Sequence, residues 1–438
     1  MSWQTVKIGD FLKRSKIPVD IEDSEEYKRV TIRGKHQGVS LRDIERGKSI
    51  GTKRQFFLKE GQFILSKIDA RYGAFGIAPS EVNDAIITGN FWAYDVDKEK
   101  VNIEWFNQYT NSPIFYDLCE RASSGITHRK YLDENFFLNY EIDLPSIDEQ
   151  EIVIGVINNQ KHSINKVSTE LNHQLALVKE LRQAYLREAM QGKLVPQDST
   201  DEPAEILLEK IKAEKEKLAA EKRIRRDKSL PPINAEEIPF EIPSNWTWCR
   251  LGELVSILGD GLHGTPQYST NGEYYFVNGN NLINGKIEFK GNTKTVSFDE
   301  FQKYKKEMNL NTILVSINGT LGNIAFYNNE KIILGKSACY FNLLDRINKY
   351  FIGFLIKSPY FLKYAVDVAS ETTIKNVSLK SMRNLPVPLP PLAEQERIVA
   401  KLEKLMKFCD ELEANIRQSA TQAETLLQVA LKEALEPK

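Results

Sequence analysis

The chain has 438 residues, 41% of them hydrophobic and 27% charged, and its 59 Lys and Arg nearly balance 60 Asp and Glu for a net charge of −1. That size leaves room for two or three domains with separate cores, the composition is that of an ordinary soluble globular protein, and the charge by itself gives no sign of nucleic acid. No apolar run reaches the roughly 18–20 residues of a membrane span, and the opening MSWQTVKIGDFLKRSK lacks the order of a signal peptide. Cys119, Cys249, Cys339 and Cys409 form no CxxC, which argues against a disulfide framework or a structural zinc site and fits a reducing cytoplasm.

Residues 1–146 read as a mixed α/β domain. GQFILSKI at 61–68 and NFWAYDV at 90–96 are short strand-like runs, rich in β-branched and aromatic residues and bounded by Gly, Asn and Asp. From 103 to 122 the apolar residues Trp105, Phe106, Tyr109, Phe115, Tyr116 and Cys119 take helical spacing. Between Lys28 and Arg71 twelve basic residues stand against only Asp43, Glu45, Glu60 and Asp69. Such a stretch either tracks phosphates or is a solvated charged face. Candidate contact loops in this half carry Lys53 and Arg54, then Arg71 and Tyr72, then Thr127, His128, Arg129 and Lys130.

A long helix is predicted over 147–195. Ser146 and Glu149 have the spacing of a capping box, in which hydroxyl and carboxylate each satisfy a free backbone N–H. Ile164, Val167, Leu171, Leu175, Val178, Leu181 and Tyr185 then recur at spacings of three and four, the seam of a coiled coil. Gly192 is a suitable C-terminal cap, reinforced by Pro196. The segment 196–243 holds a second, highly charged and exposed helix over 204–228 with a basic end, and then a proline-rich linker from 230.

The second half of the chain repeats the first. WTWCRLGELV at 246 answers WQTVKIGDFL at 3, and LPPLAEQE at 389–396 answers LPSIDEQE at 144–151. NTILVSINGTLGNIAFY at 311–327 lies where QFILSKIDARYGAFGIA lay at 62–78, with Ile317 on Ile68 and Gly322 on Gly73. A period of roughly 245 residues is a duplicated domain plus helix, not a solenoid. The second domain therefore spans 244–389, and a second long helix spans 390–438, with Ile398, Leu402, Leu405, Cys409, Leu412 and Ile416 on its seam. At 1.5 Å per residue some 40 residues make about 60 Å of helix, and the best partner for each is its own duplicate. The copies share little over 20–60 and 260–310, as two reading heads for different sequences would.

Motifs for catalysis are sparse. GKS occurs at Gly47 and Gly335, but Arg42 and Glu330 stand where a phosphate-cradling loop needs its earlier glycine. No GxGxxG follows a strand, the five histidines show no metal spacing, and Glu288-Phe289-Lys290 is at most half of a nuclease motif. Binding loops are better represented. GDGLHGTPQY at 259–268 offers His263, Thr265, Gln267 and Tyr268, and FVNGNNLINGK at 276–286 offers Asn278, Asn280 and Asn281. Amide side chains pair with two edge atoms of adenine, Arg or Lys with guanine. Thr373, Lys375 and Asn376 fall where the 124–130 loop falls in the first copy.

The LPPLAEQE run with its variant at 144, the helix after each, the GDGLHGTPQY loop and AMQGKLVPQD at 189–198 together resemble the specificity subunit of type I restriction–modification systems. The resemblance covers essentially the whole chain. It implies an α+β fold: two similar mixed α/β target-recognition domains separated by a pair of long antiparallel coiled-coil helices, related by a pseudo-twofold repeat. It also implies a non-catalytic, DNA-binding role in which each domain reads one part of a split double-stranded target. The helices would dock two methylation subunits through Glu149, Gln150, Leu171, Leu175, Glu394, Gln395, Leu412 and Ile416. S-adenosylmethionine is expected on those methylation subunits and not on this chain, and motor-nuclease restriction subunits would join for cleavage. The alternatives are a stand-alone DNA-modifying or cleaving enzyme and a coiled-coil protein-interaction scaffold.

Overall fold

The computed structural model describes residues 3–125, 130–226, 229–270, 272–370 and 375–435. The chain folds as two compact units, Met1–Asn172 with Arg417–Lys438, and His173–Ile416.

In the first unit an antiparallel four-stranded sheet runs in the order Leu12–Ser15, Phe91–Val96, Phe63–Ser66, Phe75–Ile77. Alternation along a strand sends successive side chains to opposite faces. Phe63 and Leu65 accordingly join Phe75, Phe106 and Phe115 in one core, beneath helices Ile103–Thr110 and Pro113–Arg121, while Ile64 and Ala93 join Val30, Leu58 and Ile87 in another. The second core lies against a five-stranded sheet ordered Ile17–Asp20, Arg54–Leu58, Ala85–Ile87, Glu26–Ile32, Val39–Arg46. The helical stretch predicted over 103–122 is broken in two because Ser112 caps a new helix through Phe115 N–H and Pro113 starts it.

The second unit repeats the layering. Its sheet runs Val255–Asp260, Ala338–Leu343, Thr312–Ser316, Ile324–Phe326. Ile313 and Val315 face helices Lys349–Lys357 and Pro359–Asp367, and Leu314 faces the smaller sheet made by Tyr268–Ser269, Thr295–Val296, Tyr274–Val277 and Ile332–Leu334. The repeated motifs of the sequence close each unit. Gln4–Lys7 pairs antiparallel with Glu141–Leu144, and Thr247–Arg250 with Pro386–Leu389. Pro386 and Pro388 are tolerated because this is a two-stranded ribbon with an unpaired outer side.

Both long helices contain 44 residues, Ile147–Met190 and Leu392–Leu435. Within the second unit Arg182 meets Asp410 and Glu413 at 2.6 and 3.1 Å, and further along Gln197 meets Glu394 at 2.6 Å, so the two segments run antiparallel. Within the first, Ile154 and Ile157 share a core with Leu435. Gly192, at φ +67°, ends the first helix, with Lys193 N–H donating to Glu188 O at 2.9 Å.

Three expectations need correction. The charged helix spans Ala204–Ala220 and not 204–228. Lys222 takes the left-handed conformation there (φ +60°), and Arg223 N–H closes on Leu218 O at 2.9 Å. Nor is this helix simply exposed, since Ala204, Leu207, Leu208 and Ile211 are buried in the core of the second unit. The repeat is also offset by one residue at its loop. Lys67 N–H donates to Asn90 O, and Ile317 N–H to Ser337 O, so Ile317 matches Lys67 and not Ile68. Gly73 and Gly322 still correspond, because Ser66 N–H reaches Ala74 O as Ser316 N–H reaches Asn323 O. The loop is one residue longer in the first unit.

Candidate nucleic-acid interface

In the second unit the antiparallel register brings three connections to one end of the central sheet. Asp260 lies opposite Cys339, Ser316 opposite Ala338, and Val315 opposite Ile324. The loop after Asp260, the turn before Ala338 and the turn after Ser316 therefore emerge together. Hydrogen bonds tie them into one surface. Leu262 N–H donates to Leu334 O at 2.6 Å and Lys336 N–H to Leu262 O at 3.1 Å. Ser337 Oγ accepts from Gly279 N–H at 2.8 Å and donates to Asn278 Oδ1 at 3.1 Å. Gly319 N–H donates to Lys375 O at 3.1 Å, and Asn318 Nδ2 to Asn376 Oδ1 at 3.4 Å. The close approach demands glycine: a Cβ on Gly335 would fall 2.2 Å from Asn278 Oδ1.

The polar groups left facing solvent are those of His263, Thr265, Gln267, Tyr268, Asn280, Lys336, Lys375 and Asn376. His263 pairs with Asp260, and the Gln267 backbone N–H is held by Glu300 Oε1 at 2.9 Å. Asn278 is half-buried. Asn281 needs correction as a contact residue. It is 6% exposed, and its amide is spent on Asn278 N, Glu288 O and Thr293 Oγ1. Lys336 and Ser337 stand in the same loop cluster and were not among the expected contact residues, because GKS was weighed only as a phosphate-cradling loop. The signal available was its place between two apolar, β-branched and aromatic runs, which the structure shows as Ile332–Leu334 and Ala338–Leu343. Thr373 lies outside the described residues.

The first unit carries the corresponding end. Leu132 N–H donates to Lys67 O at 2.8 Å, the Lys67 ammonium lies 5.5 Å from the centre of the Tyr131 ring, and the Arg71 guanidinium lies 4.5 Å from that of Tyr72. Lys35 N–H and His36 N–H hold Tyr72 O and Gly73 O. Lys130 pairs with Glu120 at 2.6 Å, which keeps that carboxyl below its usual range. Thr127, His128 and Arg129 lie outside the described residues. Lys53 precedes, and Arg54 begins, strand Arg54–Leu58 of the five-stranded sheet, in which Arg54 lies opposite Asp20. The Lys53 ammonium bonds Asp23 at 2.5 Å and Gly47 O at 2.8 Å.

The basic stretch carries further ion pairs. Arg29 makes a bidentate bond to Asp43 at 2.6 and 2.8 Å and reaches Glu45 at 3.2 Å, Arg42 lies 3.4 Å from Asp43, and Lys59 pairs with Asp84. Carboxylates thus pair with four of the twelve basic residues of the stretch, Arg29, Arg42, Lys53 and Lys59.

Three residues expected to dock partners also have internal duties. Gln150, Glu394 and Gln395 are fully buried. Gln150 Oε1 accepts from Asn102 N–H at 2.7 Å and Gln395 Oε1 from Asn348 N–H at 2.9 Å, while each amide donates to the proline carbonyl five residues back. Glu394 accepts from Trp246 Nε1 at 2.9 Å and from Gln197, and burial pushes its carboxyl above the usual range. Glu149 caps its own helix through Ser146 N–H. Leu171, Leu175, Leu412 and Ile416 are half-buried. Among the described residues no three His, Cys, Asp or Glu side chains gather as a metal site, and no helix is long and apolar enough to cross a membrane. The four cysteines are free and buried.

Residues 243–422 match the type I restriction modification DNA specificity domain. The EcoAI and EcoEI type I restriction enzyme specificity subunits of Escherichia coli are 31% and 25% identical to this chain over 376 and 387 residues. Those alignments take in 74% and 76% of this chain but 62% and 65% of the relatives, so it spans just under two thirds of their length. The MjaVIII specificity subunit of Methanocaldococcus jannaschii is 21% identical over 92% of this chain and 86% of its own. Among solved structures, a chain of a type I R-M system superimposes with a TM-score of 0.64 at 17% identity, over 99% of this chain and 98% of that one. The HsdS subunit from Thermoanaerobacter tengcongensis gives 0.55 at 17% identity, over 99% and 96%. Both have this fold.

Proposed function

We propose that this chain, a member of the type I restriction–modification specificity-subunit family, reads a bipartite, asymmetric DNA target with its two α/β units. The observation that carries the reading is the convergence of five polar loops on one end of the second unit's sheet, inside the matched 243–422 region. Exposed amides there suit base edges, and Lys336 and Lys375 suit phosphates or guanine. The first unit presents Lys67, Arg71 and Tyr72 on the matching loop, with different side chains, as a second half-site of different sequence requires. In this reading the chain catalyses nothing itself. Methylation subunits bring S-adenosylmethionine and modify adenine, restriction subunits add cleavage, and docking falls to the exposed faces of the two long helices.

The test is co-expression with a methylation subunit and genome-wide mapping of methylated adenines. A split motif of two unlike parts is expected. Methylation without sequence preference, or cutting or methylation by the purified chain alone, would overturn the reading.

A further inference from the structure

The charged helix Ala204–Ala220 ends in a turn that the recognition loops do not account for. Lys222, Arg223, Arg225 and Arg226 follow within six residues of its last residue, and with Arg383 they line a cavity of about 720 Å³ whose acidic member is Glu307. Arg225 and Arg226 also line the neighbouring hollow, where Lys212 and Lys215 stand with Glu216 and Glu253, and Lys212 pairs with Glu253 at 2.8 Å. Among the described residues no carboxylate pairs with Lys222, Arg225 or Arg226, whereas Arg223 lies 3.6 Å from Glu221. The turn is ordered. Arg223 N–H and Ile224 N–H both close on Leu218 O, and Leu218 packs on the core of the second unit.

Its position along the sheet gives the turn a use. The same cavity is lined by Ser256, Ile257 and Leu258, which belong to Val255–Asp260, the edge strand of the central sheet. These lie two to four residues, about 7 to 13 Å of strand, from Asp260, whose carboxylate holds His263 of the recognition loop. A duplex lying on that loop would run its phosphates past the cations.

We infer that the basic turn 222–226 binds the DNA sugar–phosphate backbone beside the recognition loops of the second unit, adding affinity without sequence preference. The inference rests on the DNA-reading role proposed above. It extends that role to a segment before the matched domain, which begins at 243.

The test uses the full chain and a duplex of arbitrary sequence, with binding followed across a salt series. Each phosphate neutralised contributes close to one unit to the slope of log K against log salt. The double variant Arg225→Gln/Arg226→Gln should lose about 2 units of slope. The charge-matched Lys404→Gln/Lys407→Gln, on the exposed side of the C-terminal helix, should lose none. In the methylating complex the first variant should keep the wild-type target motif. An unchanged slope in the arginine variant, with wild-type chain binding normally, removes the turn from the interface and leaves the reading of the loops intact. No binding by the wild-type chain at any salt removes both.

Discussion

Gln150 Oε1 accepts the backbone N–H of Asn102 at 2.7 Å. Asn102 is the N-cap of helix Ile103–Thr110, its own side chain occupied by Glu104 N–H and Trp105 N–H, so the glutamine satisfies the one donor that the cap cannot. Gln395 does the same for Asn348, which caps Lys349–Lys357. The repeated EQE motif is thus a lock between the start of each long helix and the α/β unit it leaves.

Gln395→Ala should therefore cost about 2 kcal/mol, because it leaves Asn348 N–H and Pro390 O buried without partners. Gln150→Ala should cost a similar amount in the first unit. Urea unfolding followed by circular dichroism reads both. A loss under about half a kcal/mol would mean that water or a neighbour replaces the amide.

Helix pairing in the second unit depends far more on its seam than on its ion pairs. Leu402 is fully buried, and Leu402→Ala should cost about 3 kcal/mol. Arg182→Ala breaks two ion pairs, but Asp410 is 69% exposed, so its cost should be about 0.5 kcal/mol. The same unfolding measurement ranks them, and the reverse order would refute the argument.

Glu394 should make stability depend on pH. Burial raises its carboxyl in the folded chain, so between the unfolded value and that raised value the native state holds the extra proton. Stability from this group is greatest below the unfolded pKa and falls as pH rises through the window. Glu394→Gln removes the titration. The difference in urea midpoint between wild type and variant should change across the acidic range and flatten at higher pH. A constant difference would show that the carboxyl titrates alike in the folded and unfolded chain, against a raised value on burial.

Lys336→Ala should weaken binding to all duplexes and lower the salt slope by about 1, as expected for a phosphate contact. Lys53→Ala, whose ammonium is held by Asp23 and Gly47 O, should leave the slope unchanged. Filter binding across a salt series distinguishes them. A larger effect from Lys53 would return the first domain's basic stretch to the interface.

Asn376→Ala should act on sequence and not on salt. If its amide reads a base, the methylated motif should relax at one position, corresponding to about 1–3 kcal/mol of lost discrimination. An unaltered motif in the mapped methylome would take Asn376 out of base reading.

Much of the fold was legible in the chain because it rests on short-range rules. The seam of each long helix, the box at Ser146 and Glu149 and the cap at Gly192 all follow from residues within one or two turns of each other. The duplication was legible because the motifs that repeat are those that must pair: Thr247–Arg250 needs Pro386–Leu389 in both register and twist. The five-stranded sheet was not legible, since its strands carry charge on an exposed face and lack a clean apolar alternation.

The sequence alone determined two similar α/β heads, each followed by a long helix, and which loops are rich in amides and cations. Only tertiary structure decided which of those groups are available. Arg29 is neutralised by Asp43 across a strand pair, Asn281 turns inward to Glu288 and Thr293, and Gln150 and Gln395 are consumed by caps nearly fifty residues away. Lys336, noted in the sequence only within an incomplete phosphate-loop motif, joins the loop cluster because Leu262 and Ser337 fix its turn there. Charge and hydrogen-bonding capacity belong to residues, but whether they are free for a ligand depends on partners brought close by the fold.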